Sequence, residues 1–279
     1  MKTTIYSPQN NYVLSTLVRE IFLGFKEGRE LAYRLFIRDL RAGYKRSFLG
    51  IFWLFIPPFF TAGIWIFLND QQVVSIQGAP MDYAAFTLCG TILWSFFAEA
   101  LNKPIQRYQS AMGMMSKLNF PRESLVLAAV YDQLFSLILK LIVLVPILWI
   151  LGYPPNLNWL IGFLGIFGLL IAGISIGLML SPIGLLYGDI GKALPMILPF
   201  VMYLSPVIYP LRDGGKLAIL QGINPVTPFL EMARSSLGGY EFTLWQPLLI
   251  WTGVLVGLLL FSLLVVKIAM PMIVERSGS

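Results

Sequence analysis

Residues 141–188 read LIVLVPILWILGYPPNLNWLIGFLGIFGLLIAGISIGLMLSPIGLLYG, without a single Asp, Glu, Lys or Arg. A helix crosses a bilayer in about 20 predominantly apolar residues, so this stretch is long enough for two crossings, with a loop at 151–157. Ser47–Asn69, Ala193–Leu211 and Phe242–Val266 are likewise uncharged. Only helices and closed barrels satisfy their backbone in lipid, and the alternating segments of about ten residues that mark a barrel do not occur. The fold expected is therefore an all-α integral membrane protein.

Composition agrees. Of 279 residues, 57% are hydrophobic and 12% charged, against about 25% charged in soluble domains. The net charge of +6 is uneven, since nine of the twenty Lys and Arg precede residue 50, a distribution that argues against nucleic acid as a partner. The single Cys89 lies in an apolar context and leaves no disulfide within the chain. The absence of His excludes histidine metal sites and histidine general bases. No apolar core of a cleavable signal occurs in the first 30 residues.

Six spans are expected, at 48–69, 83–103, 124–150, 158–186, 193–210 and 246–267. Loop charges orient them. The loop 70–82 carries Asp70 and Asp82 without Lys or Arg, whereas 103–123 carries Lys103, Arg107, Lys117 and Arg122. The loop 151–157 has no cation, the turn 187–192 has Lys192, and the tail has Lys267 and Arg276. This alternation puts both termini in the cytoplasm. The region 211–245 breaks it with Arg212, Lys216 and Arg234. Its proline-rich, semi-apolar run INPVTPFLEMARSSLGG reads as one or two short helices re-entering the outer leaflet, which irregular backbone does where protein covers it.

Two amphipathic segments precede the first span. Leu14, Leu17, Val18, Ile21 and Phe25 recur at helical spacing, with Gly28 as a stop. Tyr33, Phe36, Ile37, Leu40 and Tyr44 then form an apolar face, and Arg34, Arg38, Arg41 and Lys45 form another, basic one. Such a helix lies in the membrane interface, its cations on lipid phosphates. The chain thus divides into an interfacial segment 1–47, a spanning domain 48–267 and a tail 268–279. Gly173/Gly177 and Gly253/Gly257, each four apart, mark close helix packing.

Few residues can carry chemistry. The charges inside expected spans are Glu99, Asp132 and Lys140; such groups are functional candidates, and a structural pair of Glu99 with Lys140 is the competing reading. No clustered carboxylates or metal set suggest an enzyme. No G-x-x-x-x-G-K-[ST] occurs, so ATP and Mg are expected on another subunit, with no cofactor or metal in this chain. Aromatics are abundant: Trp53, Phe60 and Phe67 recur every seven residues, Trp94 and Phe97 lie one turn apart, and Tyr203 and Tyr209 fall in the fifth span. Their faces can stack on sugar rings or belong to core and interfacial belts.

At 34–58 the sequence RLFIRDLRAGYKRSFLGIFWLFIPP resembles the start of type-2 permeases of ATP-binding-cassette exporters for bacterial surface polysaccharides, in Tyr44, Lys45, Leu49, Gly50, Trp53 and Pro57. KLNFPRES resembles the segment of that family that docks into the ATPase subunit; here it supplies Lys117, Asn119, Phe120, Pro121, Arg122 and Glu123. SPVIYP at 205–210, followed by Asn224-Pro225 and Arg234, resembles the outer re-entrant region. At YGDIGKAL (187–194), Gly188 stands where the family commonly has Arg. The resemblance covers nearly the whole chain. It implies a homodimer with two copies of a separate ATPase, in the bacterial plasma (inner) membrane, exporting an undecaprenyl-linked O-antigen, capsular polysaccharide or teichoic acid. On that reading Lys45 and Arg46 hold the first span at the cytoplasmic leaflet near a lipid-linked headgroup, and Pro57-Pro58 kinks the span near Trp53. A drug or lipid exporter of the same architecture and a self-contained ion-coupled transporter remain open from sequence.

Overall fold

A computed structural model describes residues 14–45, 48–74, 76, 78–211 and 214–277, and within them every regular element is helical. Helix α1 (Leu14–Lys45) is one helix of 32 residues, not two segments. The stop expected at Gly28 fails because that glycine is a packing contact against α4 (Glu123–Ile150). A Cβ on Gly28 would sit 3.0 Å from Ser124 Cβ, and one on Gly24 2.6 Å from Glu123 Cδ. Ile21, Gly24, Gly28, Ala32 and Leu35 form the buried stripe, at steps of three and four that keep one helix face. The expected apolar face is rotated from it: Tyr33 is exposed, while Phe36 meets the Tyr131 and Phe135 rings of α4 at 6.2 and 6.0 Å. Arg46 lies outside the described residues, as do the side chains of Tyr44 and Lys45.

Among the described residues, four helices are long and apolar enough to cross a membrane: α3 (Tyr83–Met115), α4, α5 (Trp159–Leu186) and α9 (Trp245–Ser277). At the first and fifth expected spans stand two 15-residue helices, α2 (Ile56–Asp70) and α6 (Asp189–Tyr203). Each is about 22 Å long, against a hydrocarbon core of about 30 Å. Prolines account for both. A 3-10 helix, η1 (Gly50–Leu54), comes first, and Pro57-Pro58 then falls in the first turn of α2. First-turn N–H groups have no intrahelical acceptor and the proline φ suits a helix start, so the pair initiates a helix where a kink was expected. In α6, Pro195 and Pro199 remove donors, and the helix gives way to turns at 204–207.

Helix α3 continues 12 residues past its expected end at 103, capped at its start by Asp82, whose carboxylate accepts from the N–H groups of Ala84 and Ala85 at 3.0 and 3.3 Å. Lys103 and Arg107 are thereby on a helix, and the connection to α4 is only 116–122. Helix α9 likewise passes 267 to Ser277.

The two glycine pairs differ. On α5, a Cβ at Gly173 would meet Ala100 Cβ at 2.5 Å, and one at Gly177 would overlap the Leu101 carbonyl of α3. Gly253 and Gly257 of α9 have nothing within 4 Å. The short helices α7 (Gly215–Ile223) and α8 (Thr227–Gly238) follow α6. Helix α8 is buried from Thr227 to Leu237. It packs beside the first third of α5, where a Cβ on Gly165 would lie 2.5 Å from the Phe229 carbonyl and one on Gly162 3.0 Å from Ser236 Cβ.

Candidate functional site: an amphipathic cleft beside α3

A cleft of about 880 Å³ runs between α1, η1, α2, α3, α4 and α6. Helix α3 forms its polar floor. Ser95, Glu99, Lys103 and Arg107 follow at four-residue steps, with Asn102, Gln106 and Ser110 beside them, so one helix face carries them all. The opposite walls are apolar: Trp53 and Leu54 of η1, Pro57 and Pro58 of α2, Leu198 and Met202 of α6.

Charges in the floor are tied across three helices. Arg107 donates through Nε to Asp132 Oδ2 of α4 at 2.8 Å and also pairs with Asp39 of α1. Asp39 in turn accepts from Arg38 Nε at 2.7 Å, giving an alternating row Arg38–Asp39–Arg107–Asp132. Two turns deeper, Lys140 Nζ donates to Glu99 Oε1 at 2.6 Å while Ser136 Oγ donates to Glu99 Oε2 at 2.6 Å. Lys140 is 2% exposed and Arg107 7%; cations so buried persist only with partners. The three intramembrane candidates Glu99, Asp132 and Lys140 are thus all in ion pairs.

Of the aromatic candidates, Trp53, Trp94 and Tyr203 line the cleft, with Pro57. Phe97 is buried beneath Trp94, their centroids 5.2 Å apart. Phe60 and Phe67 are 70% and 63% exposed on the outer side of α2, and Tyr209 folds back to donate its hydroxyl to the Tyr203 carbonyl. Trp53 belongs to η1, so the seven-residue spacing does not put it on the Phe60–Phe67 face. Among the candidate headgroup cations, Arg34, Arg38 and Arg41 are exposed. Arg34 pairs with Glu30 at 2.5 Å, an exposed pair that contributes roughly 0.3–0.5 kcal/mol.

At the end of the molecule nearest 116–122, Lys117, Leu118 and Asn119 are exposed, and Phe120, Pro121 and Arg122 half-buried. All of these but Pro121 border a hollow of about 270 Å³. Glu123 lies behind this surface: it is buried, accepts from Lys267 Nζ of α9 at 2.8 Å, and packs on Gly24 of α1. The loop is thereby fastened to α1 and α9.

At the opposite end, Arg234 of α8 is fully buried. It pairs with Glu231, donates to the Val207 carbonyl and to Tyr240 Oη at 3.3 Å each, and lies 3.6 Å above the Phe86 ring. Burial pushes the Tyr240 hydroxyl upward from its ordinary range despite the nearby guanidinium, keeping it protonated to donate to Glu231 Oε1 at 2.7 Å. Asn224 Nδ2 donates to Ser205 Oγ at 2.7 Å and Arg234 reaches the Val207 carbonyl, so 205–210, Asn224 and Arg234, which resemble the family's outer re-entrant region, converge in space.

Sequence reasoning missed Asp39, Lys103, Arg107 and Gln106 as cleft residues, and Lys267 as the fastening of Glu123. The signal was present: Glu99, Lys103 and Arg107 are four apart. It was masked by ending α3 at 103.

Long apolar helices around a cleft with a polar floor are the build of a multi-pass membrane protein. Comparison with known proteins agrees: residues 30–237 match the ABC-2 type transporter family, and the chain belongs to it. The O-antigen export system permease protein RfbA of Myxococcus xanthus is 24% identical over 250 residues, covering 87% of this chain and 92% of that protein. A protein of the same name from Klebsiella pneumoniae is 24% identical over 241 residues, covering 83% and 91%. The polysialic acid transport protein KpsM of Escherichia coli is 22% identical over 218 residues, covering 77% and 83%.

Proposed function

We propose that this chain is the membrane-spanning subunit of an ATP-driven exporter of a lipid-linked surface polysaccharide across the bacterial inner membrane. The observation that carries the reading is the near full-length similarity to permeases named for O-antigen and polysialic acid export. The cleft supports it: aromatic faces at Trp53 and Tyr203 stand opposite the hydroxyl, amide and paired ionic groups of α3, with Trp94 of α3 beside them. Sugars present the matching combination of apolar ring faces and hydroxyls.

In this reading the chain crosses six times with both termini cytoplasmic. The four long helices span outright, η1 with α2 makes the first crossing, and α6 with the turns after it makes the fifth. Helices α7 and α8 re-enter from the outer side, α8 held by Arg234 among α3 and α5. Helix α1 lies along the cytoplasmic interface with Arg34, Arg38 and Arg41 toward lipid phosphates. Two copies of the chain face each other across α2 and α6, where Phe60, Phe67, Met196 and Phe200 are exposed. The segment 117–122 docks into a separate ATPase, which binds ATP and Mg, and Glu123 passes the movement to α1 and α9.

Deletion of the gene tests the reading. Surface polysaccharide is expected to disappear while lipid-linked polymer accumulates inside, and the wild-type gene is expected to restore both. Unchanged surface polysaccharide on deletion contradicts it.

A further inference from the structure

We propose that Gln109 is a positioning residue for export: its side-chain amide, wedged between the end of α5 and the first turn of α6, carries movement of the 116–122 loop to the α6 wall of the cleft. The proposal rests on the export reading and names a route within it.

Arg107, Tyr108 and Gln109 are consecutive on α3, so their side chains leave the helix about 100° apart. Each engages a different part of the molecule. Arg107 holds Asp39 of α1 and Asp132 of α4. Tyr108 is fully buried and donates its hydroxyl at 3.2 Å to the carbonyl of Arg122, the residue that closes the loop before α4. Gln109 Nε2 donates to the Gly184 carbonyl of α5 at 2.9 Å. Gly184 lies in the last turn of α5, where carbonyls lack an intrahelical donor, so the amide from α3 caps that helix. The stretch YGDIGKAL follows, and its Gly191 is seated on the same amide: a Cβ there would lie 3.2 Å from both Nε2 and Oε1 of Gln109. One polar group thus joins α3, the end of α5 and the start of α6.

Helix α6 is built to respond. Leu198 and Met202 are its buried residues, and every residue from Asp189 to Ile197 is at least partly exposed. Pro195 has no N–H to give the Gly191 carbonyl, and Pro199 none to give that of Pro195. The helix is therefore held at its first turn and weakened just beyond it. Leu198 and Met202 line the cleft, so a shift of the first turn alters the cleft wall. From Gln109 to Met115 α3 is unbroken helix, about 9 Å long, and the loop begins where it ends. A push on the loop reaches Gln109 through packed helix, which is the kind of medium that carries coupling between sites.

The test uses the full chain, with any ATPase that accompanies it, in phosphatidylcholine nanodiscs. Cys89→Ala and Tyr203→Cys are introduced so that maleimide labelling reports the cleft wall at the end of α6. The quantity read is the change in labelling rate on adding a non-hydrolysable ATP analogue. Gln109→Met keeps the side-chain length and loses the donor. It is expected to shrink that change roughly threefold or more, the scale of one lost hydrogen bond, while ATP hydrolysis continues. Gln109→Lys should restore most of the response, since an ammonium suits a helix C-terminus. A lower thermal midpoint with an unchanged response overturns the proposal, for the amide then only caps α5. A wild-type labelling rate that ignores the nucleotide overturns it as well. Should Gln109→Met fail to fold, Gly191→Ala decides, because alanine favours a helix while its methyl displaces the amide. A reduced response there supports the route, and a full one overturns it. The readout involves no cargo, so this route and the deletion phenotype fail separately.

Discussion

Lys140 is buried almost completely in a helix long and apolar enough to cross a membrane, and Glu99 together with Ser136 is what holds it there. Breaking a buried pair by removing one partner costs about 3–5 kcal/mol, whereas replacing both with apolar groups is often neutral. Glu99→Gln is therefore expected to lower the thermal midpoint of the purified protein sharply, and Glu99→Gln combined with Lys140→Met to recover most of the loss. A double substitution as unstable as the single one would contradict the pairing. The candidate charges were legible in the sequence because a carboxylate and an ammonium stand inside apolar runs. The Arg107 row with Asp39 and Asp132 was not legible: its members come from three helices, and Arg107 looked like a loop cation.

Glycine shows what an element's neighbours decide. A methyl group at Gly177 collides with the Leu101 backbone of α3, which cannot give way as a flexible side chain does, while one at Gly257 meets nothing within 4 Å. Gly177→Ala is expected to lower the yield of monodisperse protein several-fold in size-exclusion chromatography, and Gly257→Ala to leave it unchanged. The sequence motif is the same in both helices, so only the packing partner tells them apart. Helix boundaries were similarly hidden. Gly28 and Pro104 both resemble breakers, yet α1 and α3 run through them, because close contact with α4 and α5 outweighs a local preference. Pro57-Pro58 did mark a boundary, but as a helix start, a distinction set by whether residues 50–54 join the same helix.

At the scale of the whole molecule, the cleft and the 116–122 loop share α3 and α4, and Glu123 at the start of α4 is tied to Lys267 of α9. If the loop receives force from an ATPase, Phe120→Ala with Pro121→Ala is expected to leave ATP hydrolysis running while export falls at least severalfold. Normal export in that variant would contradict transmission through the loop. Charge reversal at the fastening, Glu123→Lys, is expected to reduce export, and adding Lys267→Glu to restore part of it; failure of the double reversal to improve on the single would argue that the pair is incidental. The all-helical membrane class was legible from apolar stretches alone, since lipid leaves the backbone few choices. The cleft was not, because it is built by five segments distant in sequence and by side chains that each look like packing or loop residues.

The central claim, a transport subunit driven by a separate ATPase, is tested most directly by purifying the tagged chain from its own host in mild detergent and identifying what accompanies it. The account predicts a stoichiometric partner carrying a G-x-x-x-x-G-K-[ST] phosphate-binding motif. The chain recovered alone at native expression, in more than one detergent, would contradict it.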